Sequence, residues 1–287
     1  MSTSTSTGTL QAVVQADLEY ASVAGTSLRL DLYTPAGASA PLPTLLYLHG
    51  GAWALGDKSD MAVERLMPLV AHGFAVASAN YRLVPAATYP AQVHDVKAAI
   101  RWLRANAGEH GLDPARIAIG GASAGGHLAS LAALTEGDPE LEGDVGPHTG
   151  VSSAVGAVVA YFPGSDLVLS GGRNELETRI LPPPPSAALL GLERIDDDRE
   201  LARSASPRFR AHPGAPPHLI LHGDRDTMVN HEQSRLLHEA LSAAGASSTL
   251  MLLSGAGHED AQFVRPSVTA AVAAFLAEAL GERPRTG

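Results

Sequence analysis

From Leu28 onward, short apolar runs that stop at glycine or proline alternate with stretches whose apolar residues recur at helical spacing. Residues 28–33 alternate in strand fashion and stop at Pro35. "PTLLYLHGG" is a continuous apolar run closed by glycines, as expected for a strand buried on both faces. "GFAVASANYR", "RIAIGGAS", "AVGAVVAYFP", "PHLILHGDRD" and "STLMLLSGAGH" also read as strands. Helical patterns lie between them. Val93, Val96, Ile100 and Leu103 follow Pro90; then come "AGGHLASLAAL", "HEQSRLLHEALSAAG" closed by Gly245, and "RPSVTAAVAAFLAEAL" with Pro266 placed for a first turn. Strands alternating with helices of this length predict βαβ units, right-handed crossovers and an α/β fold with a mostly parallel central sheet flanked by helices.

On this reading the 287 residues form one domain, with a flexible tail over residues 1–20. Residues 163–213 are too long for an ordinary connection and carry the stiff run Pro182–Pro185. They read as a short cap inserted between two strands; the plainer alternative is a partly disordered surface loop. The absence of cysteine excludes disulfides, a thiolate nucleophile and Cys-ligated zinc. A formal net charge of −10 argues against a nucleic-acid partner. The Ser/Thr-rich start lacks the features of a signal peptide, and no window reaches the ~18 uninterrupted apolar residues of a membrane span. The expectation is a cytoplasmic protein that engages no membrane.

"GGASAGGHLAS" sets Ser123 where a buried strand meets a helix, inside the frame Gly121-Ala122-Ser123-Ala124-Gly125. A serine on such a strained turn stands out at the carboxyl end of the sheet, and glycines two positions either side remove clashes with neighbouring backbone. The plainer reading of the pentapeptide is a turn packed with small residues. A serine hydroxyl needs a base to take its proton. Downstream, "LILHGDRDTMV" and "LLSGAGHED" place aspartates and a histidine at the ends of two later strands, on the same sheet edge as Ser123. Asp226 is the choice for the acid because its loop reaches toward His258; Asp224 is the alternative, and more naturally braces its own loop. Of the 12 histidines, His258 stands apart on a glycine-rich loop. His218 and His222 read as core residues, His127 as packing, and His231 and His238 as a solvated helix face.

The negative oxygen formed in acyl transfer needs preorganised N–H donors. "LHGGAWALGDK" ends a strand in His49-Gly50-Gly51-Ala52-Trp53, and the glycine pair lets backbone amides turn into a cleft. The amides of Gly51, Ala52 and Ala124 are the candidate oxyanion hole. Trp53 either walls the substrate pocket or packs in the core, and His49 braces the loop.

Together "HGGAW", "NYRL", "YPAQVHDVKAAIRWLRANA", "GLDPARIAIGGASAGGHLA", "HGDRDTMV" and "GAGH" resemble the α/β-hydrolase superfamily. The resemblance is nearest to bacterial feruloyl-esterase-like and hormone-sensitive-lipase-like carboxylesterases and to kynurenine formamidases. It implies Ser123 as nucleophile, His258 as base and Asp226 as the acid that orients it. It implies Gly51, Ala52 and Ala124 as oxyanion donors, no metal and no organic cofactor. Asp95 and Arg82 fall at supporting positions. Ala122 and Ala52 replace an aspartate and a glycine of lipase-like relatives, which favours the feruloyl-esterase-like branch. The implied activity is hydrolysis of small soluble carboxylic esters through an acyl-enzyme. An amidase or arylformamidase, a lactonase, an acyl-transfer enzyme of secondary metabolism, or a non-catalytic binding protein on the same fold are the alternatives. The implied partner is a small-molecule ester, and a homodimer is compatible with the group.

Overall fold

The computed structural model describes residues 12–39, 41–171 and 175–281. The strands are β1 (Ala12–Val23), β2 (Thr26–Pro35), β3 (Leu42–Leu48), β4 (Ala75–Ala79), β5 (Leu112–Ala122), β6 (Val158–Tyr161), β7 (His218–Gly223) and β8 (Ser248–Leu253). They form one sheet in the order β1-β2-β4-β3-β5-β6-β7-β8. β1 and β2 pair antiparallel, as do β2 and β4; from β4 to β8 every pairing is parallel. The connections supply α1 (Met67–Ala71), α2 (Ala91–Ala105), α3 (Ala124–Leu134), α4 (Pro139–Glu142), α5 (Glu175–Ile180), α6 (Pro185–Leu190), α7 (Arg199–Ser204), α8 (Glu232–Ala243) and α9 (Pro266–Leu280).

The central strands are mostly apolar because both faces are covered. In β3, Leu46 and Leu48 join the core with residues of α2 and α3, whereas Leu45 and Tyr47 join the core with residues of α1 and α9. All four are at most 2% exposed. β3 lies between β4 and β5, so the chain leaves it first to one side and later to the other. The carboxyl ends at such a reversal open a crevice. Leu48 of β3 pairs with Gly121 of β5 there, and the two loops of interest leave the sheet side by side.

One expectation needs correction. Residues 12–20, read as part of a flexible tail, belong to β1; residues 1–11 lie outside the described residues. β1 joins β2 through Ala24 and Gly25, at φ 47° and 82°, the paired positive values of a tight hairpin turn. As an edge strand β1 buries little beyond Tyr20 and Ala21, so it lacks a marked apolar pattern. The segment between β6 and β7 contains short helices. α6 starts at the last proline of the Pro182–Pro185 run, with Pro184 extended ahead of it. Among the described residues no helix is long and apolar enough to cross a membrane.

Candidate active site

Ser123 is the single residue between β5 and α3, at φ 52° and ψ −114°. Its N–H donates to Tyr161 O at 2.9 Å, and its carbonyl accepts from His127 N–H at 3.0 Å. These bonds hold an unfavourable backbone conformation in place. The flanking glycines are required by close approach. A Cβ on Gly125 would lie 2.1 Å from Leu48 O, and one on Gly121 would lie 2.5 Å from the carbonyl carbon of Gly125.

The loop after β8 brings His258 to this serine. His258 Nε2 is 3.1 Å from Ser123 Oγ, and His258 Nδ1 is 2.6 Å from Asp226 Oδ2. The other carboxylate oxygen, Asp226 Oδ1, accepts the N–H groups of Met228 and Val229, each at 2.9 Å. Burial acts to raise the pKa of Asp226, but the bonds from His258 and these amides outweigh it and hold the carboxyl below its ordinary range. An ionised acid at Nδ1 fixes the proton there and leaves the Nε2 lone pair for the serine. Asp224 is exposed and accepts from Gly255 N–H at 2.6 Å, bracing the loop.

The loop after β3 forms the facing wall. His49 stacks on Tyr81 with centroids 4.4 Å apart and sits 2.7 Å from Gly50 O through Nδ1. Gly51, Ala52 and Trp53 all have positive φ, at 111°, 53° and 58°. Gly51 O accepts from Ala54 and Leu55, closing the turn. Among the described residues, the N–H groups of Gly51, Ala52 and Ala124 donate to no protein acceptor. Ala52, Ala124, Ser123 and His258 line one cleft of about 370 Å³. Gly51 does not; it lines a neighbouring hollow of about 360 Å³. Trp53 meets both sequence-based readings: it walls the cleft, yet is 7% exposed, with Nε1–H donating to His127 Nδ1 at 3.2 Å. The segment between β6 and β7 also lines this cleft, through Leu167, Leu169 and Pro184–Ser186.

A family model described as BD-FAE matches residues 30–241. The chain belongs to the BD-FAE family. It is 38% identical over 226 residues to "Esterase LipC" of Mycobacterium tuberculosis, covering 76% of this chain and 53% of that protein. The chain spans about half the length of the first curated relatives it matches. It superposes on a truncated carbohydrate esterase from gut microbiota with a TM-score of 0.87 and 30% identity, covering 96% of this chain and 99% of that one. Esterase 2 of Thermogutta terrifontis, phosphorylated by paraoxon, gives a TM-score of 0.74 at 27% identity and 96% coverage of both chains. These structures share the α/β-hydrolase fold.

Sequence reasoning on this BD-FAE chain missed one neighbour of the site. His222, read as core, is buried and places Nε2 3.1 Å from Asp226 Oδ2 and 2.9 Å from Val229 O. Both are acceptors, so Nε2 carries the proton, and Nδ1 accepts from Ser234 Oγ at 2.6 Å. Burial lowers the His222 pKa and keeps the ring neutral. Its place four residues before Asp226 in "HGDRD" was the available signal. The Phe162 ring lies 4.6 Å from that of His258.

Proposed function

We propose that this protein is a serine carboxylic ester hydrolase acting on small soluble esters through an acyl-enzyme, with the cytoplasm as its expected location. The observation that carries the reading is the continuous bonded line from Ser123 Oγ through His258 to Asp226, at 3.1 and 2.6 Å, on the wall of an open cleft. As Ser123 Oγ attacks the ester carbonyl, its proton passes to His258 Nε2. Asp226 holds the ring in the right tautomer and stabilises the imidazolium. The negative oxygen is met by amides of Ala52 and Ala124, with Gly51 as the third candidate. His258 then returns the proton to the departing alcohol oxygen. A water enters, gives its proton to His258 and attacks the acyl carbonyl, releasing the acid and restoring Ser123 Oγ–H.

The esterase titles of the relatives support this reading, and the largely apolar cleft supports an uncharged acyl group. The test is hydrolysis of p-nitrophenyl acetate, butyrate and octanoate by wild type and Ser123→Ala. The expected loss in the variant is at least ~10⁴-fold in kcat. A variant that turns over like wild type contradicts the reading.

A further inference from the structure

In the proposed mechanism the base sits on a loop, which by itself is a poor platform for a group that must be accurately placed. Glu259, directly after His258, has φ 53°. A glutamate keeps that left-handed conformation only where its surroundings impose it. The surroundings include a distant part of the chain. Residues Ala62–Leu66 form a π-helical turn in which Leu66 N–H reaches back to Met61 O at 3.4 Å. The extra residue in such a turn re-aims side chains, and here Arg65 points inward, with its side chain only 2% exposed.

A buried guanidinium must be paired. Arg65 Nη1 donates to Tyr47 Oη at 2.7 Å, and Nη2 donates to Glu259 Oε1. Its central carbon lies 4.7 Å from the Tyr161 ring centroid and 5.9 Å from that of Phe162. Phe162 is the ring packed against His258, and it is held at φ 37°. Arg65 therefore meets two supports of His258: the residue that follows it and the ring beside it.

We propose that Arg65 is a positioning residue for the base, holding His258 between Ser123 and Asp226 through Glu259 and Phe162. The proposal rests on the serine-esterase reading. Its test is steady-state kinetics on p-nitrophenyl butyrate, with thermal melts, for Arg65→Met, Glu259→Ala, the double variant and Glu259→Gln. Either single change should lower kcat by ~10–100-fold while KM stays within about twofold, as for a misplaced but intact catalytic group. The double variant should be no worse than the more impaired single variant, since both remove one link. Glu259→Gln keeps the acceptor oxygen and should recover much of the loss. Glu259 is exposed, so its variants carry the test if Arg65→Met does not fold. Folded single variants with wild-type kcat, or a loss confined to KM or to melting temperature, overturn the proposal alone. A wild type without turnover overturns the serine-esterase reading and the proposal with it.

Discussion

Asp224 and Asp226 follow the same strand, two residues apart, and their side chains do different things. Asp226 is buried and bonded to His258, whereas Asp224 is exposed and ties its loop to Gly255. Asp226→Asn should leave the fold intact and lower kcat by about 10⁴-fold, because an amide no longer enforces the Nδ1–H tautomer. Asp224→Asn should change kcat by less than about tenfold, as expected for a brace away from the reacting atoms. Equal losses in the two variants would remove the distinction. The contact between Asp226 and His258 was legible because the two residues follow neighbouring strands, where their loops can meet. His222 was not, since a histidine ending a buried strand has the same sequence signature whether it serves the core or the acid. Arg65 was less legible still: its partner Glu259 is 194 positions away.

α2 is tied to α3 and α4 by buried cations. Lys97 and Arg101 on α2 converge on Glu142 at the end of α4, at 2.8 and 3.2 Å, and Lys97 also caps Thr135 O at the end of α3. Burial acts to raise the Glu142 pKa, but Lys97, Ser153 and the Gly137 amide outweigh it and lower it. Glu142→Ala leaves two buried cations without their carboxylate. It should cost about 2–3 kcal/mol, less than the ~3–5 kcal/mol of a fully buried pair because Glu142 keeps some solvent contact. Urea unfolding measures this; a change below about 0.5 kcal/mol would make the cluster no stronger than surface pairs. At this scale the parallel strands were legible because burial on both faces writes a continuous apolar run. β1 was not, because an edge strand with one sheet neighbour and little burial writes no such run. The short helices between β6 and β7 were hidden for a related reason: helices of six residues span too few turns to show a period.

The whole molecule carries neutral imidazoles in its interior. Burial pushes both His127 and His218 down to about 4. Their unfolded value is near 6.5, so between those limits the unfolded chain takes up protons that the folded one refuses. The resulting stability is fully present above the unfolded value and is lost as pH falls toward 4. By pH 5 the loss should be about 2 kcal/mol per imidazole. The urea midpoint should drop between pH 7 and 5, and drop less in His218→Leu; equal slopes would show that His218 does not titrate this way. Ser123 has a strained backbone, lines the cleft and is bonded to His258. The most direct test of its role as nucleophile is mass spectrometry of the protein after treatment with paraoxon, beside Ser123→Ala. One diethyl phosphoryl adduct is expected, on the peptide containing Ser123, and none on the variant. An untouched wild type, or the same adduct on Ser123→Ala, would contradict it.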